Sequence, residues 1–304
     1  MRLAVTGLHG QVVSAMIARA PRGVELIALG RPRLDLTVRD AVLAALRAAR
    51  CDVIVNAAAY TAVDRAESEP DVAMQVNGEG AGYVAEIAAE LRAPLLHLST
   101  DYVFDGALER PYREDDPTGP MGAYGRSKLA GEQRIASIHP NHAILRTAWV
   151  YSPYGANFLT TMLRLGETGG EVRVVADQQG NPTSALDIAD ALFAIAQRLR
   201  ADPSPALRGI FHLSGGGEAT WAEFAKAIFA EAVAHGRPPV SVKSIATADY
   251  PTAARRPANS RLDNAKLGAA FGLTLSHWRD STKSCVARLL APRDGGAGSR
   301  PVRA

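Results

Sequence analysis

The sequence predicts an α/β chain in which a doubly wound parallel sheet is covered by helices on both faces. Two observations carry this. Short apolar runs alternate with longer helical patterns through the first half, and a Gly-x-x-Gly turn follows the first of those runs. Together they define a Rossmann-type sheet. The less regular second half reads as a smaller C-terminal α/β lobe that binds substrate.

The apolar runs at residues 3–6, 24–29, 52–56, 95–99 and 143–147 read as buried strands. Between them, residues 11–20, 38–49, 81–91 and 127–138 have helical periodicity. Strands alternating with helices imply parallel pairing and right-handed crossovers. After about Trp149 the pattern loosens. Residues 177–183 form a loop of Gln, Gly, Asn and Pro. A helix is expected over 184–200, with Asp187 and Asp190 near its start and Arg198 and Arg200 at its end, as the macrodipole favours. A strand is expected over 210–213. A helix over 220–234 opens with a Thr220–Glu223 capping box. Residues 253–261 are basic and contain proline, two short helices follow, and 292–304 is Gly-, Arg- and Pro-rich, a flexible tail from about 291. The expected division is a cofactor domain over 1–150, with a returning segment near 184–215, and a substrate lobe mainly over 151–290.

The composition is that of a globular chain: 304 residues, 47% hydrophobic, 21% charged, net charge +3. Disorder, collagen and a small disulfide scaffold are excluded. There is no Lys/Arg block to suggest a nucleic-acid partner. No apolar run is long enough for a membrane span, and the first residues do not form a signal peptide. Cys51 and Cys285 lie in no ligand spacing, and the seven histidines show none either. His97 is read as a satisfied core residue. A cytoplasmic protein without metal is expected.

Gly7 and Gly10 sit where a strand turns into a helix. Glycines there let the backbone approach a pyrophosphate, which the helix N-terminus then receives. Val13 stands where a third small residue is expected, and this alters helix–sheet spacing slightly. The second strand ends in Gly30 and Arg31 rather than in an acid. An acid there would select NADH by bonding the ribose 2′-hydroxyl, whereas a guanidinium accepts a 2′-phosphate. NADPH is therefore favoured, with NADH as the other possibility. Taken alone, Arg31 and Arg33 read equally as a solvated loop. Ala57, Ala58 and Ala59 leave room at the end of the third strand.

Tyr124 and Lys128 are four residues apart and share one face if their segment is helical. An ammonium beside a phenol lowers its pKa and helps it exchange protons. Ser99 and Thr100 end the fourth strand, where a sheet-end site lies, and offer hydroxyls to Tyr124 or to a substrate oxygen. Tyr102 and Phe104 fit either the site or the core. A hydroxyl, a tyrosine and a lysine beside a dinucleotide turn point to hydride transfer coupled to proton transfer.

These motifs resemble the extended short-chain dehydrogenase/reductases, and within them the dTDP-4-dehydrorhamnose reductase family, from residue 1 to about 290. The resemblance rests on residues 56–64, 66–70, Asn77, 99–106, Tyr124-Gly125-x-x-Lys128-Leu129-Ala130-Gly131-Glu132 and Arg146-Thr147-x-Trp149-Val150-Tyr151. It extends to Asp177-Gln178-x-Gly180-x-Pro182-Thr183 and Arg255-Arg256-Pro257-x-Asn259-Ser260. The early motifs fit many nucleotide-sugar enzymes, and the late ones narrow the choice.

The resemblance implies reduction, by NADPH, of the C4 ketone of dTDP-4-dehydro-L-rhamnose. Tyr124 would protonate the alkoxide, Thr100 would tune that acid, and Lys128 would hold the ribose and lower the tyrosine pKa. Gly7, Gly10, Gln11, Val12, Arg31, Asp35, Leu36, Ala58, Ala59, Tyr60, Thr61 and Leu98 would line the dinucleotide site with Tyr124 and Lys128. Thr100, Asp101, Tyr102 and Trp149 would contact the sugar. Arg255, Arg256, Asn259 and Ser260 would lie near the diphosphate, which suits a guanidinium pair, although Arg255 and Arg256 also read as a solvated loop. Some relatives bridge a dimer through Mg²⁺. The matching positions here are Ala15 and Leu186, neither of which binds it, so a monomer or a weak homodimer without a metal-bridged interface is expected. The competing readings are a nucleotide-sugar epimerase or dehydratase, disfavoured by Gly30-Arg31, and a non-catalytic dinucleotide-binding regulatory subunit, disfavoured by the intact Thr100, Tyr124 and Lys128.

Overall fold

A computed structural model describes residues 1–291. The expected tail over 292–304 lies outside the described residues. The first half runs β1 (Arg2–Thr6), α1 (Gln11–Arg19), β2 (Glu25–Leu29), α2 (Arg39–Ala49), β3 (Val53–Asn56), α3 (Val63–Ala66), α4 (Pro70–Met74), a π-helical turn (Gln75–Glu79), α5 (Gly80–Leu91), β4 (Leu95–Thr100), α6 (Ala123–Ile138) and β5 (His142–Thr147). The second half runs β6 (Val150–Tyr151), α7 (Phe158–Leu165), β7 (Gly170–Val175), β8 (Gln179–Gly180), β9 (Thr183–Ser184), α8 (Ala185–Ala201), β10 (Gly209–His212), β11 (Ala219–Thr220), α9 (Trp221–Ala234), β12 (Val240–Ile245), α10 (Ala265–Phe271) and α11 (Trp278–Leu290).

Six strands form one parallel sheet in the order β10-β5-β4-β3-β1-β2. The order in which strands are added reverses between β1 and β3, so a crevice opens at their carboxyl ends. The middles of the strands are mainly apolar because both faces are covered. Leu3, Val5, Val53, Val55, Leu96 and Leu145 point into one core with α1 and α8. Ala4, Ile54, Leu95 and Ile144 alternate to the other face, against α2, α5 and Ile135 of α6. The core beneath α8 continues to Phe224 of α9 and Trp278 of α11.

Helix α8 and strand β10 return from the second half to the sheet, and β10 pairs with β5. Ser184 caps α8 by accepting from Leu186 N, and the Thr220–Glu223 capping box forms as expected. Beyond the sheet, β7 pairs with β12 in parallel. That ladder and α7 were not anticipated, and the last helix, α11, is thirteen residues long rather than short. Ala15 is fully buried and Leu186 nearly so, inside the packing of α1 against α8.

Candidate active site

The turn after β1 is built for close approach. Gly7 has φ +105°, which a side chain resists, and a Cβ there would lie 3.2 Å from Val13 Cγ2. Val13 thus fills the space of the missing third glycine without entering the crevice. Gly10, just before α1, faces open space. The first turn of α1 holds no acid, and no side chain caps it, so its N–H groups are available to an anion.

A cavity of about 570 Å³ opens here, over the ends of β1, β2 and β3. Of the expected cofactor residues, Gly7, Arg31, Asp35, Leu36, Ala58, Ala59 and Tyr60 line it. Gly10, Gln11, Val12, Thr61, Leu98, Tyr124 and Lys128 lie outside its lining. Gln11 accepts from Ser152 Oγ at 2.9 Å, which ties α1 to the segment after β6. Asp35 accepts from Thr37 N and Thr37 Oγ1, and those bonds hold its carboxyl below the usual range. Arg31 is exposed at the rim and makes no salt bridge among the described residues. Sequence reading missed His9, Arg65 and Glu69 in this lining. Glu69 accepts from Arg65 at 2.6 Å and from the Tyr60 hydroxyl at 2.7 Å. An open helix N-terminus, an alanine floor and a cationic rim fit a dinucleotide. Among the described residues no His, Cys, Asp and Glu cluster suits a metal.

The reaction centre is made by α6. Its start is capped from a distance: Glu67 accepts from Ala123 N at 2.8 Å. Gly125 and Gly131 let the helix touch its neighbours, because a Cβ at either would come within 3.0 Å of a backbone carbonyl, Tyr102 O or Asn77 O. Asn77 then joins this helix to the turn after β3. It accepts from Tyr60 N at 2.8 Å and donates to Ser127 Oγ at 3.0 Å. The helix begins at Ala123, four residues before the expected start, and so carries both Tyr124 and Lys128.

Thr100 stands beside Tyr124, and the Tyr102 ring is edge-on to it at 5.6 Å. Burial raises the Tyr124 pKa. Asp101 and Tyr102 add to the rise, and Thr100 opposes it. Lys128 is not among the groups that shift this pKa, contrary to what the resemblance implies. Instead, Lys128 Nζ is turned inward, donating to the Leu98 carbonyl at 2.6 Å, with His97 Nε2 at 3.3 Å. Burial brings the Lys128 pKa down to about 8, against a smaller rise from Glu132. Asp101 is pushed up to about 6 by burial, opposed by the Thr100 hydroxyl, which donates to its Oδ1 at 2.9 Å, while its Oδ2 is buried without a hydrogen-bond partner among the described residues. Ser99 does not reach Tyr124. It donates to Glu132 Oε1 at 2.5 Å, and Glu132 pairs with Arg146 at 2.7 Å, both side chains 2% exposed. Phe104 stacks on Tyr112 and belongs to the core.

The remaining substrate candidates divide. Arg255 and Arg256 both line a second cavity of about 520 Å³, with Asp177, Thr247 and Tyr250. They do not act as a matched pair. Arg255 is exposed, whereas Arg256 donates to the Tyr102 hydroxyl at 2.9 Å and to Asp64 at 2.6 Å. Asn259 spends its amide on the carbonyls of Leu108 and Arg110, and its oxygen accepts from Arg261. It therefore anchors a loop. Trp149 lies flat against Trp221, with centroids 3.6 Å apart, and Gly180 is small enough to admit its ring. Trp221 had no recognisable signal in the sequence.

A phosphate-ready turn at a sheet reversal, beside a threonine, a tyrosine and a lysine, defines a short-chain dehydrogenase/reductase. The comparisons narrow the class. The family model described as RmlD substrate binding domain matches residues 1–291, and the chain belongs to that family. A protein named dTDP-4-dehydrorhamnose reductase from Sinorhizobium fredii is 55% identical over 290 residues, covering 95% of this chain and 98% of that one. The crystal structure of such a reductase from Clostridium acetobutylicum has a TM-score of 0.88 at 34% identity, covering 95% of this chain and 99% of that one. Another from Bacillus anthracis, in complex with NADP, gives 0.88 at 33% identity, covering 94% and 99%.

Proposed function

We propose that this chain reduces the C4 ketone of dTDP-4-dehydro-L-rhamnose with NADPH, giving dTDP-L-rhamnose, the last step of dTDP-rhamnose synthesis. The observation that carries the reading is the Thr100–Tyr124 contact at the carboxyl end of the sheet, with Lys128 one helical turn further along α6.

NADPH supplies the hydride. Gly7, Gly10 and the α1 N-terminus hold its pyrophosphate, Ala58 and Ala59 leave room for it, and Arg31 meets the 2′-phosphate. NADH, lacking that phosphate, binds less well. Tyr124 donates the proton that the new alkoxide takes up. Burial keeps the phenol protonated at neutral pH and also makes it a weaker acid, so the transfer relies on the strong basicity of the alkoxide that hydride addition creates. Thr100 fixes the orientation of the phenol. Lys128 holds the ribose hydroxyls. Asp101, Tyr102 and Trp149 face the sugar, and Arg255 meets the diphosphate, with Arg256 and Ser260 shaping that end.

Residues 1–150, with the returning segment near 184–215, serve the cofactor, and 151–290 mainly serve the substrate. We assign the chain to the cytoplasm, as a monomer or a weak homodimer without a metal bridge. Ala15 and Leu186 support this because both are buried and neither offers oxygen. No described helix is long and apolar enough to cross a membrane.

The test is to mix the purified chain with NADPH and dTDP-4-dehydro-L-rhamnose and follow the absorbance of reduced nicotinamide. Oxidation that Tyr124→Phe abolishes is the expected result. A folded, NADPH-binding chain that oxidises nothing would overturn the substrate assignment, and weight would pass to another nucleotide sugar or to a non-catalytic role.

A further inference from the structure

Lys128 ends a chain of buried polar groups that starts at the cofactor turn. The N–H groups of Ala57 and Ala58 both donate to Thr6 Oγ1 at 3.0 Å. Thr6 Oγ1 donates to Asn56 Oδ1 at 2.7 Å. Asn56 Nδ2 lies 3.0 Å from His97 Nδ1, and His97 Nε2 lies 3.3 Å from Lys128 Nζ. Thr6, Asn56, His97 and Lys128 are each at most 2% exposed, so water does not replace these bonds.

Valence fixes their direction. A hydroxyl has one proton and two lone pairs. Both lone pairs of Thr6 are taken by N–H groups, so its proton must go to Asn56, and the atom that receives it is the amide oxygen. The amide nitrogen therefore faces His97 and donates to it, which leaves Nδ1 as a bare acceptor. The ring is neutral, because burial, Lys128 on α6 and His142 on β5 hold its pKa well below the ordinary value. A neutral ring with a bare Nδ1 carries its proton on Nε2, aimed at Lys128. An ammonium has no lone pair for that proton, whereas a neutral amine has one. A neutral Lys128 accepts from His97 and donates to Leu98 O, completing the network. Of the charged groups near it, Glu132 on α6 acts the other way and favours the ammonium.

We propose that His97 is a positioning residue whose Nε2–H disfavours the ammonium form of Lys128, so that binding of the cofactor ribose is coupled to uptake of a proton by that lysine. The inference rests on the reading of Lys128 as the residue that holds the ribose. The proton comes from solvent, and no covalent bond changes. Residues 6, 56 and 97 are far apart in sequence and meet because β1, β3 and β4 are neighbours in the sheet.

Two measurements test it on the whole chain. Nitrogen-15 spectra of the histidine rings, with His97 assigned by its loss in His97→Leu, should show His97 protonated at Nε2 alone. An Nδ1–H ring or an imidazolium overturns the proposal. Calorimetry of NADPH binding from pH 7 to pH 10, in buffers of different ionisation enthalpy, should show proton uptake rising towards about one per site, with affinity falling up to roughly tenfold per pH unit at the alkaline end. In His97→Leu the onset should move up by about one pH unit, a shift that a merely structural role would not produce. Binding without uptake, or an unmoved onset, overturns the coupling while leaving the cofactor assignment intact. Failure of NADPH to bind removes both.

Discussion

Gly125 lies so close to the Tyr102 carbonyl that a Cβ on the glycine would come within 3.0 Å of the oxygen. This crossing places Tyr124 and Lys128, which flank Gly125 on α6, over the segment that carries Thr100 and Asp101. Backbone atoms cannot swing aside as a side-chain tip can, so Gly125→Ala must push the helix outward. Small displacements of reacting groups cost about 10²-fold in rate. The expected outcome is kcat lowered by that order, an unchanged circular dichroism spectrum, and a stability loss of about 1–3 kcal/mol from overpacking. Steady-state kinetics beside thermal melts check it. A variant with full kcat would show that α6 has more freedom than this contact allows.

The same helix is pinned further along by Glu132 and Arg146, an ion pair sealed from solvent, with Arg146 also lying over the Phe104 ring at 4.9 Å. A buried pair gains little over apolar residues, but half of one is costly. Glu132→Gln or Arg146→Met alone should destabilise the chain by about 3–5 kcal/mol. Replacing both with apolar residues should cost clearly less than the sum. Urea denaturation of the four proteins forms the cycle. Additive losses would mean that the two side chains do not act as a unit.

The sheet was legible because local pattern and final environment agree. Strands β1 to β5 lie within one residue of the expected ends, as apolar runs buried on both faces should. The ladder of β7 with β12 was not legible. Its strands are half-exposed, and their partners lie 70 residues apart, Val240 opposite Gly170. The start of α6 was missed because its cap comes from Glu67, 56 residues earlier in the chain. Within the site, Tyr124 and Lys128 were legible from their spacing. Arg256, Asn259 and Ser99 carry side chains of the right chemistry for binding, but the fold engages them with Asp64, loop carbonyls and Glu132, which spacing does not reveal. His97 is buried as expected, yet its partners arrive only with the sheet.

Asp101 makes stability depend on pH in an identifiable window. Burial raises its pKa in the folded chain from 3.8 to about 6. The folded state therefore binds this proton more tightly than the unfolded state does. Its contribution is fully present below about pH 4 and is lost as pH rises through 6. The loss is on the order of 3 kcal/mol. Asp101→Asn should remove this dependence, so the stability difference between wild type and variant should change between pH 4 and pH 6 and stay flat from pH 7 to pH 8. Chemical denaturation across that range measures it. A constant difference would place the Asp101 pKa at its ordinary value.

Arg31 should decide between the two nicotinamide cofactors. It stands at the rim of the dinucleotide cavity, exposed and without a salt bridge among the described residues, and Asp35, in the same lining, is engaged by Thr37. A 2′-phosphate there would meet a guanidinium that gives up no other partner to receive it. Charge-assisted bonds of this kind contribute about 1.5–3 kcal/mol, less at an exposed rim. Arg31→Ala should therefore raise KM for NADPH about tenfold, with kcat and the NADH constants unchanged. Added salt should weaken NADPH binding to the wild type more than to the variant, because screening acts on the charge that was removed. Equal losses for both cofactors would mean that Arg31 holds the loop rather than the phosphate.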